Sequence, residues 1–281
     1  MNHYHEEISK KSLSYYITGF MTLIFALLIL FPILYCFSVS FMKESDINSY
    51  PPKWISHFFY LGNYIKVLGG SLLGRYIFNS IVLALFATLA RILTACTAAF
   101  AFSFLQFPLK KFFFFFILAA MVIPGDALIV TNYLTVTSAG LMDTYLGVMI
   151  VYFNDVMYMF MLRQFMKSIP SDFRDAAVMD GCGNFRFFTS IIMPICQPVT
   201  VSVFISSFVG LWNAYVWPLL ITNAPEMRTI QVGITMLSND ECTVFGPTMA
   251  GSIIVLIPAI IIFIIFKEKI ISGVTAGSIK G

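Results

Sequence analysis

The sequence predicts an all-α, polytopic membrane protein with about six transmembrane helices and one short helix at the cytoplasmic face. Hydrophobic residues make up 59% of the chain and charged residues only 11%, whereas soluble domains carry about 25% charged residues. The 281 residues include 30 phenylalanines and 15 methionines, more than a core of that size can shield from water. The sequence also contains several apolar runs of about 20 residues, which is the length that a helix needs to cross a bilayer.

Six apolar runs reach this length, and we expect each of them to form a transmembrane helix. They cover residues 16–41, 76–104, 112–135, 145–166, 195–222 and 249–266. The first run is longer than the apolar part of a signal peptide, which has roughly 7–15 residues, so we expect it to be retained. Residues 1–281 are predicted to form a single transmembrane domain whose core spans cover about 76–266.

The distribution of lysine and arginine predicts the orientation, because cytoplasmic loops of membrane proteins are enriched in these residues. With the N-terminus in the cytoplasm, eleven of the 17 basic residues lie in cytoplasmic segments and five in outer segments. The remaining one, Arg91, lies inside the second span. Both termini are therefore predicted to be cytoplasmic, with residues 167–194 inside and the long loops 42–75 and 223–248 outside.

The composition and the motifs exclude several classes of function. A net charge of +3 provides no electrostatic footprint for nucleic acid. No C-x-x-C pair suggests a metal site or a disulfide framework; the cysteines are Cys36, Cys96, Cys182, Cys196 and Cys242. No G-x-x-x-x-G-K-[ST] motif is present to bind ATP phosphates. The histidines, which are His3, His5 and His57, form no acid–base constellation. We expect a chain that has no catalytic residues, no metal and no cofactor of its own.

The polar segment between the fourth and fifth predicted spans is patterned as a short helix. Ser171 is a favourable N-cap, and Asp172 and Asp175 place negative charge in the first turn. One face is shared by Phe173, Ala176, Ala177 and Asp180. Gly181 fits the left-handed position that ends a helix. The two alanines would permit close approach of a groove on a partner, and Asp175 and Asp180 would meet basic groups there. An ordinary amphipathic loop is the alternative.

The same segment resembles the "EAA" motif of binding-protein-dependent ABC import permeases, which is E-A-A-x-x-D-G-A, then a gap, and then an apolar residue and proline. The stretch DAAVMDG, with Ile-Pro before it and Met-Pro after it, matches at Ala176, Ala177, Asp180, Gly181 and Pro194. Asp175 replaces the usual glutamate and keeps its charge, and Cys182 replaces a small alanine. The resemblance implies that residues 175–181 form a coupling helix that docks on a separate ATPase subunit.

Other stretches extend this resemblance over most of the chain. They are Asn79-Ser80, AAFAF at 98–102, FPLKK at 107–111, LWNAYVWPLL at 211–220 and GVTAGSIKG at 273–281. The last is similar to the tail of the second permease subunit of maltose-type carbohydrate importers. The resemblance implies a multi-pass permease of a bacterial cytoplasmic membrane, surrounded by lipid, that carries a sugar, an oligosaccharide in particular, by alternating access. It also implies a homologous second permease, two ATP-binding subunits that hold ATP and Mg, and an extracytoplasmic solute-binding protein.

Ionisable residues inside spans are costly and therefore raise functional questions. Arg91 lies near the middle of the second predicted span and Asp155 midway along the fourth. We expect them to pair; the alternatives are that they line a watery substrate path or that Arg91 attracts an acidic sugar. A second candidate set for sugar contacts is Asn154, Trp212, Asn213 and Trp217, because aromatic faces stack on sugars and amides bind hydroxyls. The alternative is that the tryptophans anchor helices or pack in a core.

Two other classes of protein compete with this interpretation. An ion-coupled secondary transporter of small solutes needs no ATPase-docking helix, so the motif at residues 175–181 argues against it. An intramembrane enzyme needs catalytic groups that face one another within the spans, and Arg91 with Asp155 is not sufficient for that.

Overall fold

The computed structural model is all-helical, as predicted, in the residues that it describes, which are 13–51, 53–55, 59–70, 72–240 and 245–278. The α-helices are α1 (Leu13–Ser40), α2 (Glu44–Ile47), α3 (Gly62–Gly70), α4 (Leu73–Phe104), α5 (Lys110–Ala119), α6 (Ile129–Ser138), α7 (Tyr145–Met149), α8 (Val156–Lys167), α9 (Asp172–Met179), α10 (Asn184–Phe187), α11 (Met193–Ile195), α12 (Gln197–Trp212), α13 (Val216–Ile221), α14 (Ile230–Asp240) and α15 (Phe245–Ser278). The predictions that concern His3, His5, His57, Cys242 and the last three residues of the tail lie outside the described residues.

Half of the predicted spans are broken helices. Three helices are long and apolar enough to cross a membrane as they stand, namely Tyr15–Ser40, Leu73–Phe104 and Phe245–Ile262. Three further candidates are bent pairs: Lys110–Val122 with Gly125–Ser138 (92°), Tyr145–Tyr152 with Val156–Lys167 (48°), and Asn184–Ile195 with Gln197–Trp212 (75°). If each pair crosses once, the described part of the chain has six spans. The number agrees with the prediction, but the breaks were not predicted.

Two of the breaks occur at prolines. Ile123 is extended (φ −80°, ψ 116°), because the residue before a proline, here Pro124, avoids helical backbone angles. Pro194 follows a wide π turn, and Pro198 lies in the first turn of α12, where the missing N–H of proline is tolerated. The break in the fourth span contains no proline, and the side chains that stabilise it are described below.

Residues 1–71 and 237–254 form one compact unit. Within it, α1 exposes apolar side chains along nearly its whole length, an arrangement suited to lipid or to another membrane helix. The amide of Asn63 in α3 donates to the carbonyl oxygens of Ser40 (2.9 Å) and Met42 (2.8 Å). Gly246 is required opposite this amide, because a Cβ there would lie 2.7 Å from Asn63 Nδ2. A single asparagine thus connects three parts of this unit.

Residues 72–236 and 255–281 form the second compact unit. Its central helix is α4, which packs most extensively against α8 and α12. Ala95 and Ala99 of α4 are buried in one core cluster with Leu162 of α8 and Val203 of α12. The small side chains allow the helices to pack closely, and this core positions both groups of predicted functional residues.

Candidate docking segment and intramembrane polar cluster

The segment after the fourth span folds as the eight-residue helix α9. The carbonyl oxygen of Ser171 accepts hydrogen bonds from the N–H groups of Arg174 (2.7 Å) and Asp175 (3.1 Å). Ser171 is the N-cap residue, as predicted, but it has helical backbone angles and its hydroxyl forms no capping bond. Asp172 and Asp175 lie in the first turn, where the helix dipole stabilises their charge.

The C-terminal end of α9 is closed by a Schellman motif. The N–H of Cys182 donates to the carbonyl oxygen of Ala177 (2.8 Å), and the N–H of Gly181 donates to that of Val178 (3.0 Å). Gly181 has the left-handed conformation predicted for it, with φ +70°, which glycine adopts without the steric cost of a Cβ. Backbone geometry that the sequence motif specifies therefore fixes where the helix ends.

Arg174 connects α9 to α10. Its Nη2 donates to Oδ1 of Asn184, the first residue of α10, and its Cζ lies 4.7 Å from the centre of the Phe187 ring. Phe187 is fully buried and contacts Phe100 and Phe104 of α4 at ring-centroid distances of 6.1 and 5.3 Å. The two short helices are therefore held to each other and to the end of α4. We call them the α9–α10 body, residues 172–187.

Burial divides the motif residues into an anchored and an exposed set. Ala177 is only 5% exposed and belongs to the core of its own chain. The prediction that both alanines face a partner is therefore wrong for Ala177 and leaves Ala176 in that position. The exposed set consists of Asp175, Ala176, Val178, Met179, Asp180 and Gly181. Met179 is 87% exposed, so two carboxylates flank a small apolar surface that has no cover within the described residues.

Pro194 lies outside the docking helix, in α11, after the π turn Phe188–Ile192. Backbone hydrogen bonds continue across the 75° bend that follows, from Cys196 N–H to Ile192 O and from Thr200 N–H to Cys196 O, both 2.9 Å. The bend is therefore a hydrogen-bonded elbow, and it turns the α9–α10 body away from the axis of α12.

Arg91 and Asp155 come together at the break in the fourth span. Arg91 is 8% exposed, and its Nη1 lies 3.9 Å from Oδ2 of Asp155. Its Nε donates to the carbonyl oxygen of Tyr152 (2.9 Å) and its Nη1 to the hydroxyl of Ser207 (3.2 Å). Its Cζ lies 5.7 Å from the centre of the Tyr158 ring. The charge of Arg91 therefore already has partners within this chain.

Arg91 and Asp155 stabilise the two helix ends that meet at the break in the fourth span, and Thr94 assists Arg91. Arg91 and Thr94, three residues apart on α4, bind the carbonyl oxygens of Tyr152 (2.9 Å) and Phe153 (2.7 Å) at the break. Asp155 is the N-cap of α8, and its Oδ1 accepts the N–H of Met157 (3.0 Å). A cation at a helix C-terminus and a carboxylate at an N-terminus are both favourable, and backbone groups at membrane depth need such partners. This polar cluster therefore has a structural explanation that requires no substrate.

Both tryptophans of the predicted substrate path are buried. Trp212 Nε1 donates to the carbonyl oxygen of Val255 (3.2 Å), and Trp217 Nε1 donates to that of Gly147 (3.3 Å). Buried indoles normally find such a partner. The geometry favours the packing alternative for these two residues over contact with a sugar.

The two asparagines of the predicted path are exposed. Asn213 is the C-cap of α12; its Nδ2 donates to the carbonyl oxygen of Val209 (2.9 Å), and its Oδ1 accepts a hydrogen bond from Gln231 Nε2 (3.1 Å). Asn154 lies beside Asp155 at the break. Among the described residues, no hydrogen bond joins Asn154 or Asn213 to the Arg91–Asp155 pair. The structure therefore does not bring the six predicted path residues together as one site.

A polar clasp near the start of α4 was not predicted. Nδ2 of Asn79 donates to the carbonyl oxygens of Glu226 (2.7 Å) and Arg228 (2.9 Å), while its Oδ1 accepts the Tyr145 hydroxyl (2.7 Å). The next residue, Ser80, accepts the first backbone N–H of α14 (2.8 Å). The sequence signal for this clasp was Asn79 itself, a polar residue in an apolar run. A buried amide needs hydrogen-bond partners, so its presence indicates polar contacts with another segment.

Asp143 fixes the start of the same loop. Its Oδ1 accepts the N–H groups of Asn223 (2.6 Å) and Ala224 (2.8 Å), and its own N–H donates to the carbonyl oxygen of Ile221 (3.1 Å). It has φ +54°, a conformation that aspartate adopts more readily than most residues. No sequence pattern distinguished it.

Comparisons with known proteins agree with this architecture. The family model described as "Binding-protein-dependent transport system inner membrane component" matches residues 91–271. The sn-glycerol-3-phosphate transport system permease protein UgpE of Rhizobium meliloti is 29% identical over 275 residues, which cover 95% of this chain and 98% of that protein. The arabinooligosaccharides transport system permease protein AraQ of Bacillus subtilis is 30% identical, over 91% of this chain and 92% of that protein.

Two further similarities concern a relative and a solved structure. The sulfoquinovosyl glycerol transport system permease protein SmoH of Agrobacterium fabrum is 28% identical over 90% of this chain and 89% of that protein. A crystal structure of a bacterial ABC transporter involved in the import of the acidic polysaccharide alginate contains a chain with the same fold. Its TM-score is 0.81 at 22% identity, over 92% of this chain and 98% of that chain.

The helical spans and these similarities define a multi-pass, non-catalytic membrane subunit of a transport system. More specifically, the chain belongs to the family of binding-protein-dependent transport system inner membrane components. The predicted resemblance to import permeases is thereby confirmed, as is the inner membrane location. A system of this family includes a binding protein and an ATPase, and the secondary transporter and the intramembrane enzyme are no longer needed as alternatives.

Proposed function

We propose that this chain is the permease subunit that receives work from an ATPase through the α9–α10 body and translocates a sugar into the cytoplasm. The observation that carries the proposal is the exposed, structurally fixed end of α9. Its Ala177 and the adjoining Phe187 anchor it to the core, while Ala176, Met179 and Asp180 face outward. A short helix held this rigidly transmits displacement instead of absorbing it.

In the proposed mechanism, ATP and Mg bind to two partner ATPase subunits, whose closure displaces the α9–α10 body. The spans of this chain and of a homologous second permease then rearrange, so that the path opens alternately outward and inward. An extracytoplasmic solute-binding protein delivers the substrate at the outer face. Both termini are cytoplasmic in this scheme, which the bias of lysine and arginine supports.

For the substrate we propose a sugar, with an oligosaccharide as the first candidate. The names of the relatives mention arabinooligosaccharides, glycerol 3-phosphate and sulfoquinovosyl glycerol, which share hydroxyl-rich structures and differ in charge. Arg91 is neutralised by Asp155 and hydrogen-bonded to Tyr152, which argues against a role for it in attracting an acidic sugar. The exposed amide of Asn154 forms no hydrogen bond among the described residues and is suitable for hydroxyl groups, whereas that of Asn213 already bonds to Val209 and Gln231.

Site-specific photo-crosslinking tests the docking role. A photoreactive amino acid at Met179 should link this chain to the ATPase subunit in the assembled transporter. The same amino acid at Leu61, which is also exposed but lies in the predicted outer loop, should not. Uptake driven by ATP should be lost in the double variant Asp180→Lys with Gly181→Leu while the complex still forms in the membrane. Retained uptake in that variant would refute the docking role.

Transport assays with the reconstituted complex test the substrate class. We expect a neutral oligosaccharide to be taken up in a reaction that depends on ATP and on the binding protein. Glycerol phosphate and an acidic oligosaccharide are the comparison substrates. Uptake of the two anions alone would contradict the proposed neutral substrate but leave the docking role unaffected.

A further inference from the structure

We propose that a basic cavity formed by residues of α4, α5 and α8 binds the headgroup of an anionic phospholipid. The cavity has a volume of about 480 Å³, and its lining includes four cations and no carboxylate. The cations are Lys110, Lys111, Arg163 and Lys167. Within the part of the chain that the structure describes, none of the four forms an ion pair. Like charges gathered in this way repel one another, so a bound anion would reduce the electrostatic repulsion among the four cations.

Two buried polar atoms in the same lining have no hydrogen-bond partner, Arg163 Nε and Ser103 Oγ. Most buried polar groups in proteins have one. The Arg163 guanidinium lies against the Phe114 ring, with its Cζ 3.7 Å from the ring centre. Its position is therefore fixed while its Nε lacks an acceptor. A phosphate oxygen is an acceptor of the charge and size that this arrangement fits.

Lys110 has a second role that distinguishes it from the other cations. Its Nζ donates to the carbonyl oxygens of Leu105 (2.6 Å) and Ser103 (3.4 Å) and thereby caps the end of α4. Lys111 and Lys167 are exposed and form no hydrogen bond through their side chains among the described residues. These two lysines are therefore the ones whose replacement tests ligand binding without disturbing the fold.

The position of the cavity favours a lipid over a soluble anion. Lys110 is the first residue of α5 and Lys167 the last of α8, so the cations lie where two spans leave the membrane. Phe115 lines the cavity, and Phe112 and Phe116 expose further rings on the same helix. Cations at the ends of spans next to exposed apolar rings match the headgroup and the acyl chains of an anionic lipid. A soluble anion would contact the cations but not the exposed phenylalanine rings of α5.

The inference depends on the membrane location of the chain and not on which solute it carries or on docking by α9. The test uses the complete transporter, purified in detergent, with native mass spectrometry to count bound lipid as phosphatidylglycerol or phosphatidylcholine is added. We expect tighter binding of phosphatidylglycerol. Replacement of both Lys111→Gln and Lys167→Gln should weaken it about 25-fold, from about fivefold for each charge removed near a membrane surface.

A matched control is Arg186→Gln. Arg186 is exposed on α10 and does not line the cavity, so phosphatidylglycerol affinity should change by less than about twofold, because the charge of a solvent-exposed side chain outside the site is screened by salt. The thermal unfolding temperature of each variant shows whether it is folded.

Several outcomes would overturn the proposal. One is equal binding of the two lipids by the unmodified transporter, and another is unchanged affinity in the folded double variant. Displacement of phosphatidylglycerol by inorganic phosphate at the same concentration as the lipid would assign the cavity to a soluble anion. A photo-crosslink from position 111 to the ATPase subunit, in place of lipid, would assign it to a protein contact.

Discussion

Arg91 Nε lies 2.9 Å from the carbonyl oxygen of Tyr152, and this contact explains why an arginine can lie within a membrane span. The fourth span breaks after Tyr152, and its backbone carbonyl needs a donor that lipid does not provide. Arg91 is that donor, and Asp155 both balances its charge and starts the next helix segment. The pair is part of the backbone architecture of the fourth span.

Reversing the two charges tests this role. Arg91→Glu or Asp155→Arg alone should destabilise the complex by about 2 kcal/mol, less than the roughly 3–5 kcal/mol of a fully buried pair, because the Asp155 side chain is one third exposed. The double reversal should recover part of this loss, but not all, because the bond from Arg91 to Tyr152 is also lost. Thermal unfolding and ATP-driven uptake measure the effect. A double variant no better than the worse single variant would argue against pairing.

Gly181→Ala tests whether the backbone conformation at the end of α9 matters. No atom lies within 4 Å of a Cβ added there, but φ is +70°, so the cost is the left-handed conformation itself, about 1–2 kcal/mol. We expect the ATPase activity of the complex to become partly uncoupled from uptake. Gly183→Ala is the matched control, because Gly183 has equally open space and φ −69°. Equal effects of the two substitutions would contradict the explanation.

The Asn79 clasp should hold the loop at residues 222–230 in place. Asn79→Asp keeps the size of the side chain but removes the donor to Glu226 and Arg228, and leaving such partners unsatisfied costs about 1–3 kcal/mol. Tyr145→Phe removes only the bond to Asn79 Oδ1 and should cost less. Hydrogen exchange of the loop amides should increase slightly in Tyr145→Phe and more strongly in Asn79→Asp. Unchanged exchange in Asn79→Asp would show that the loop is held by other contacts.

Trp212→Phe and Trp217→Phe should lower stability without altering substrate affinity. Each removes one hydrogen bond to a backbone carbonyl and some packing volume, so we expect a loss of about 1–2 kcal/mol of unfolding free energy. The Michaelis constant for uptake should stay the same in both variants. A large rise in that constant, with unfolding unchanged, would place the indole in the substrate path after all.

The sequence predicts most of the fold because lipid makes the apolar runs unambiguous. The left-handed Gly181 also follows from sequence, since few residues other than glycine tolerate that conformation. Burial on α9 did not follow, because Ala176 and Ala177 are identical side chains and only the tertiary packing of the core cluster decides which one is covered.

The breaks in the spans were harder to infer. Pro124 and Pro194 were visible as interruptions, but apolar composition alone does not tell a bent helix from a straight one. At the fourth span the cause lies in another helix. Arg91 and Thr94 lie three residues apart on α4, and together with Asp155 in the fourth span they were the sequence signals that a backbone break needed polar partners.

The elbow at Cys196 has a mechanical consequence. The segment Asn184–Ile195 is about 18 Å long at 1.5 Å per residue, and it meets α12 at 75°. A force applied at its far end therefore acts on α12 mainly as torque about Cys196, with the short segment as a lever arm. A small displacement of Asn184 would therefore rotate α12 within the membrane about its N-terminal end, next to Cys196.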